Sequence, residues 1–174
     1  MSKLKSILRH LRTIFFGPLH AAKKEGLKCG KNVTIMKGTD FGSEPYLITL
    51  GNDVRISDHV FFFTHDGGSF VFRRDGYYKG TVRFARIRIG NNCFIGSHAL
   101  ILPGVHIGDN CVIGAGSVVT NNFDDNSVIA GVPAKKICNI NEYAERMKKR
   151  MPKELANGFK NKNKRIILES VLPD

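Results

Sequence analysis

Residues 90–120 read GNNCFIGSHALILPGVHIGDNCVIGAGSVVT, and from Ile89 onward an aliphatic residue returns at every sixth position: Ile89, Ile95, Ile101, Ile107, Ile113 and Val119. Glycine follows four of them, at Gly90, Gly96, Gly108 and Gly114. A small or modest side chain stands two residues before, at Cys93, Ala99, Val105, Cys111 and Ser117. An α-helix repeats every ~3.6 residues and a strand every two, so neither alone makes this pattern. A period of six with one aliphatic and one small inward residue describes a triangular β-solenoid. Each hexapeptide supplies a flat side and a corner, and three complete a coil of about eighteen residues. Ile89 then stacks with Ile107, Ile95 with Ile113 and Cys93 with Cys111, burying ladders that a single coil cannot bury alone. Asn91-Asn92 and Asp109-Asn110 suit the corners, because Asn and Asp tolerate the left-handed backbone of a tight turn.

The same phase runs more weakly upstream. Leu50, Ile56 and Phe62 are six apart, with Val54 and Val60 at the small-residue phase, and Cys29-Gly30, Val33, Ile35 and Phe41 mark an earlier coil. Between Phe62 and Ile87 the period fails. The stretch 66–86 reads as a loop thrown out of the solenoid, and long loops on repeat scaffolds usually carry function. The period slips again at NNFDDN after Thr120 and resumes through Ser127, Ile129 and Ala130. Three regions follow: a basic amphipathic helical region over 1–28, the solenoid over 29–140 with its loop 66–86, and a C-terminal helix and basic tail over 141–174. The helix is expected over 141–150, capping the open end. The expected class is an all-β solenoid with an N-terminal helix, one protruding loop and a short C-terminal helix.

The chain has 174 residues, 42% hydrophobic and 24% charged, which suits a single folded domain. Its net charge of +12 is concentrated at the ends: +7 over residues 1–31 and +4 over 141–174, with near neutrality between. No zinc-finger spacing or aromatic RNA-binding strand motif accompanies that charge, so nucleic acid is not an expected partner. The four cysteines form no C-x-x-C pair and follow no secretory signal, which points to a reduced, cytoplasmic setting. No apolar run approaches the ~18–20 residues of a membrane span. Leu4, Ile7, Leu8, Leu11, Ile14 and Phe15 form one face at helical spacing, with Lys3, Lys5, Arg9 and Arg12 elsewhere, and Gly17-Pro18 ends it. The first reading of that face is packing against the solenoid or a neighbouring subunit. The second is peripheral membrane contact through residues 1–16, at the inner face of the membrane.

From the quoted stretch to VIAGVPAKKI, the chain closely resembles the hexapeptide-repeat (isoleucine-patch) acyltransferases over roughly residues 29–140. The resemblance implies a left-handed parallel β-helix, a homotrimer, and acetyl-CoA as co-substrate in clefts between subunits, with no metal. Within the family the chain looks most like the galactoside, serine and surface-polysaccharide O-acetyltransferases.

Transfer of an acetyl group from a thioester to a hydroxyl needs a base for the acceptor proton, donors for the developing oxyanion and a track for the CoA arm. Among the six histidines, His10 and His20 lie in or near the N-terminal helix, and His106 faces out from a flat side. His59 and His98 lie near corners. His65 ends the strand Phe61-Phe62-Phe63-Thr64 where the period breaks, with Asp66 beside it. It also matches the position of the family's catalytic histidine, which makes it the expected general base, with Asp66 and His98 as supporting groups. Ser97 matches a family serine near the thioester carbonyl. Ala115 and Thr120 match family CoA contacts, and Gly116 belongs to a small-residue corner open to the pantetheine arm. Lys135 and Lys136, after Gly131-Val132-Pro133, suit the CoA phosphates. Asn121 stands where galactoside enzymes carry Lys, and Phe94 where some relatives present Trp, so phosphate and stacking contacts are expected to be rearranged there. Cys93 and Cys111 fall at inward phases, as packing rather than nucleophiles. In the loop, Arg73, Arg74, Tyr77, Tyr78 and Lys79 either contact an anionic sugar or are simply solvated.

The expected function is acetyl-CoA-dependent O-acetylation of a sugar hydroxyl in surface-polysaccharide synthesis, by direct transfer. N-acetylation of an amino sugar is the first alternative, and serine or xenobiotic acetylation the next. From a different class comes a non-catalytic or metal-binding hexapeptide solenoid, for which His59, His65 and His98 would have to supply the ligands.

Overall fold

Strands, mostly of two or three residues, follow one another along the chain, and most pair with a strand one coil away rather than with a sequence neighbour. In chain order they are β1 (Lys28–Cys29), β2 (Thr34–Ile35), β3 (Ile48–Leu50), β4 (Arg55–Ile56), β5 (Phe61–Phe62), β6 (His65–Asp66), β7 (Arg83–Phe84) and β8 (Ile87–Ile89). Then come β9 (Phe94–Ile95), β10 (Leu100–Ile101), β11 (His106–Ile107), β12 (Val112–Ile113), β13 (Val118–Val119), β14 (Ser127–Gly131) and β15 (Ala134–Asn139). Sheet 1 contains β1, β3, β8 and β11; sheet 2 contains β2, β4, β9, β12 and β14; sheet 3 contains β5, β10 and β13. All these pairings are parallel. The chain therefore visits the three sheets in rotation. Two antiparallel pairs depart from the rule: β15 folds back on β14, and β6 joins β7 at the base of the protruding loop. This computed structural model describes residues 3–151, apart from the side chains of residues 3–6, 9 and 10. The expected basic tail beyond 151, and the side chains of Leu4, Lys3, Lys5 and Arg9, lie outside the described residues.

The strands of the parallel coil turn an apolar residue inward. Ile56, Ile95, Ile101, Ile107, Ile113 and Ile129 are fully buried, with Val54, Val60 and Ala99 filling the small-residue phase. Burying one such Ile stabilises by about 1.5–3 kcal/mol, so the stacked column is the main source of cohesion. Cys93 and Cys111 are buried in the same phase, and hydrogen bonding to Cys111 together with burial pushes the Cys93 thiol up. Hydrogen bonding to Cys93 lowers the Cys111 thiol to about 7, while both side chains stay buried in the packing.

The edges of the coil differ in how strictly they count. Between sheets 1 and 2, a side-chain oxygen at each turn accepts the backbone N–H of the turn before. Asn52 takes Lys31 at 2.8 Å, Asn91 takes Asn52 at 2.9 Å, Asp109 takes Asn91 at 2.6 Å, and Asp125 takes Asp109 at 2.7 Å. Asn32, Asp53, Asn92, Asn110 and Asn126, the next residues along, all have φ between 51° and 59°. The successive steps along this ladder are 21, 39, 18 and 16 residues. From sheet 1 to 2 to 3 the spacing stays at six, so every surplus or deficit falls where sheet 3 returns to sheet 1. That edge holds a three-residue insertion between Phe41 and Leu50, the long loop between Phe62 and Ile89, and a two-residue shortening after Val119.

The N-terminal region differs from the single helix expected. Gly17, at φ 82°, separates α1 (Lys3–Phe16) from a second helix, α2 (Pro18–Lys24). It is α2 that meets the core, through Ala22 with Leu19, followed by Leu27. The apolar residues Ile7, Leu8, Leu11, Ile14 and Phe15 of α1 are exposed, so the expected packing face is not used among the described residues. The chain divides into two compact units after Ile140. Its third helix, α3 (Ile140–Arg150), is basic in its last turn and pairs Arg146 with Glu142.

Candidate active site

His65 begins the excursion at the sheet 3–sheet 1 edge, where the parallel ladder ends and β6 pairs instead with β7. Thr64, fully buried just before it, accepts the Ala85 N–H through its carbonyl and so closes the base of the loop. The ring of Phe84 lies tilted against His65 at 5.7 Å between centroids. On the other side stands Glu44, from the three-residue insertion of the preceding coil. Its Oε2 lies 2.9 Å from His65 Nδ1 and accepts from Thr64 Oγ1 at 2.6 Å.

Glu44 is partly buried. Burial works against its charge, but hydrogen bonds from Thr64, His65 and Ser43 outweigh that and hold the carboxyl below its usual value. A proton on Nδ1, donated to this carboxylate, leaves Nε2 with the free lone pair of a general base. The His65 side chain remains 41% exposed, against 14% for Glu44, so solvent or a ligand reaches the base while the acid is shielded. Beside them a cavity of about 680 Å³ is lined by His65, Phe63, Phe41, Ser43 and, from α2, Pro18 and Ala21.

Glu44 was not among the residues singled out from the sequence. The signal available was the nine-residue step from Phe41 to Leu50, which marks an insertion one coil below the His65 excursion. Asp66, expected to support His65, instead caps the turn Gly67–Val71 by accepting the Gly68 N–H at 2.8 Å. Its carboxylate is occupied because that turn needs an N-cap.

The remaining expected residues divide among edges. Ser97 and His98 lie at the corner between sheets 2 and 3, not at the His65 edge. His98 has φ 61° and its ring stacks on that of His59 at 5.1 Å and 5°. Below them sits Gly38, where a Cβ would come within 2.5 Å of the His59 ring. His98 is therefore a corner residue and not a neighbour of His65 along the coil. Counting its distance from Ile95, three residues, would have placed it there. His59, His65 and His98 likewise divide between two edges, and no cluster of three metal-ligating side chains occurs among the described residues.

Ala115 and Gly116 occupy the same corner as Ser97 one coil on, with the Gly116 N–H donating to the Ser97 carbonyl at 2.8 Å. Both are exposed, and a Cβ on Gly116 would meet nothing within 4 Å, which leaves an open, small-residue track. Thr120 and Asn121 are exposed at the 3–1 edge, and Lys135 and Lys136 are exposed on β15. Within one chain, then, the base and the small-residue track sit on different edges.

A family model for the hexapeptide repeat of succinyl-transferase matches residues 86–121. Protein CapG of Staphylococcus aureus is 50% identical over 123 residues, covering 70% of this chain and 70% of CapG. Galactoside O-acetyltransferase of Escherichia coli (strain K12) is 42% identical over 99 residues, which is 57% of this chain but 47% of that longer protein. Among solved structures, a galactoside acetyltransferase in complex with coenzyme A superposes with a TM-score of 0.60 at 28% identity, over 82% of each chain. With half of the aligned residues identical to CapG's over 70% of both chains, and the repeat matched where the isoleucine column is strictest, this chain belongs to the hexapeptide-repeat acyltransferases.

Proposed function

We propose that this protein is an acetyl-CoA-dependent O-acetyltransferase that modifies a sugar hydroxyl in surface-polysaccharide synthesis. The observation that carries the reading is the His65–Glu44 pair, an imidazole with its Nδ1 held by a shielded carboxylate, at the rim of a cavity. The names of CapG and the galactoside enzyme support it. Bound acetyl-CoA would supply a thioester carbonyl as the acyl donor. His65 Nε2 takes the proton from the acceptor hydroxyl as its oxygen attacks, and later returns a proton to the departing thiolate. Glu44 keeps Nδ1 as the donor and stabilises the imidazolium formed in between. The open corner at Ala115–Gly116 and the exposed Lys135 and Lys136 fit a thin arm ending in phosphates, with Ser97, Thr120 and Asn121 alongside.

The reading includes a left-handed coil and a homotrimer. Because His65 and the Ser97–Ala115–Gly116 corner lie on different edges, a neighbouring copy would bring one chain's base to another's track. The outer face of sheet 3 suits that contact: Phe61, Leu100 and Val118 point outward in register, and Phe61 stacks with Phe63. We also place the enzyme in the cytoplasm, with the exposed apolar face of α1 available for peripheral contact with the membrane. No described helix is long and apolar enough to cross one.

The test is thermal melting of the purified protein with and without excess acetyl-CoA, followed by thiol release with candidate acceptors. Binding at about 100 times Kd adds ~2.7 kcal/mol to the native state and raises the melting temperature clearly. No shift would overturn the reading.

A further inference from the structure

The outer face of sheet 1 gathers cations beside a cavity. Lys28, Thr49, Arg88 and His106 stand outward in register on β1, β3, β8 and β11. The corresponding columns are Thr34, Arg55, Phe94, Val112 and Val128 on sheet 2, and Phe61, Leu100 and Val118 on sheet 3, with Asp40 bridged to Phe61. Sheet 1 is not merely basic but concave. Lys28, Arg86 and Arg88 line a cavity of about 350 Å³ together with Tyr46, Leu47 and Thr49. Tyr46 is 59% exposed, and its Cβ sits so close to the Gly26 backbone that a side chain at Gly26 would collide with it at 2.8 Å.

Among the described residues Arg146 is ion-paired to Glu142 and Glu44 is hydrogen-bonded to His65, so the three cations have no carboxylate partner there. Strands two apart in a sheet are separated by about 9–10 Å, which leaves Lys28 and Arg88 bracketing a space rather than touching. Like charges gathered without a counter-charge repel, and an oxyanion between them removes that cost while receiving charge-assisted hydrogen bonds. The cavity also adjoins the His65 edge in sequence: Tyr46 is two residues from Glu44, and Arg86 two from Phe84.

We infer that this face binds the anionic group of the acceptor, a carboxylate or phosphate carried by the saccharide, with a sugar face laid against Tyr46. The word acceptor rests on the acetyltransferase reading; the anion site does not. The volume exceeds that of a single small oxyanion and suits a charged sugar unit or a diphosphate.

The test is equilibrium binding to the intact protein, at one ionic strength, of tetragalacturonate, inorganic pyrophosphate and neutral maltotetraose. At least one anionic probe should bind ten-fold or more tighter than maltotetraose. Arg88→Gln and Lys28→Gln should each weaken that binding by about ten-fold, the scale of a charge-assisted contact. Arg55→Gln, on the outer face of sheet 2, should leave it unchanged. Preference for tetragalacturonate assigns a carboxylate-bearing acceptor, and preference for pyrophosphate a phosphate-linked one. Equal affinity for charged and neutral probes, or undiminished binding in both sheet 1 variants, overturns the inference. The acetyl-CoA melting shift on the same samples separates the two claims: its absence with anion binding intact would sink the acetyltransferase reading alone.

Discussion

At the edge between sheets 1 and 2, Asn52, Asn91, Asp109 and Asp125 pass a hydrogen bond from each coil to the next. At the edge between sheets 3 and 1 the turns have different lengths, and the candidate chemistry collects there. The contrast has a physical cause. A ladder bond needs its partner at one position only, so an added residue would orphan a backbone N–H and push the following strand out of phase. The 3–1 edge carries no such continuous ladder, and extra chain can loop out from it while the strands on either side stay paired. Stability comes from the regular edges and freedom to build a site from the irregular one.

Breaking the comparison directly gives the largest effect. One alanine inserted between Asn91 and Asn92 should abolish folding, because every inward residue beyond it shifts phase. The same insertion between Gly76 and Tyr77, inside the loop, should leave the melting temperature unchanged. Circular dichroism melts of both variants decide it, and equal damage would discredit the division of edges.

On the catalytic side, His65→Ala should lower kcat by about 10²–10⁴-fold, the usual weight of a general base, while the acetyl-CoA melting shift survives. Full turnover in that variant would remove His65 from the mechanism. Ile95→Ala, in the regular column, should cost about 2–5 kcal/mol in denaturant unfolding and leave kcat per folded molecule intact. Asn91→Ala should cost about 1–2 kcal/mol, since its side-chain bonds to Asn52 and Asp109 are all lost but the freed groups are near solvent.

The smallest effect belongs to Glu44. Its carboxyl is held below its ordinary value of 4.5, so the stability it contributes is present above that pH and lost as the pH falls through the folded value. The native protein should therefore weaken more steeply on acidification below about pH 4.5 than Glu44→Gln. Parallel pH profiles of the two would discount the Glu44 hydrogen bonds as a source of stability. The same substitution should reduce kcat more than it changes the KM for acetyl-CoA, because Glu44 acts only through the His65 ring.

Much of the fold was legible because the coil repeats a single local decision. Ile95 is buried for the same reason as Ile113, and a period of six announces both. His65 was legible as the residue at which that period ends. Glu44 was not, since it lies 21 residues away and meets His65 only because one coil stacks on another. Asp66 shows the converse: adjacent to His65 in sequence, its carboxylate is taken up by a local cap on the Gly68 N–H. The second N-terminal helix was hidden behind Gly17-Pro18, a pair that ends one helix and can equally begin another.

Sequence alone determined the rotation through three sheets, the buried isoleucine column and the place where the chain leaves the coil, because each depends on residues spaced within one or two turns. Tertiary structure decided which carboxylate faces His65, which helix closes the core, and that Lys28, Arg86 and Arg88 share one cavity. Those depend on contacts between coils, whose offsets are set by insertions that a six-residue period does not encode.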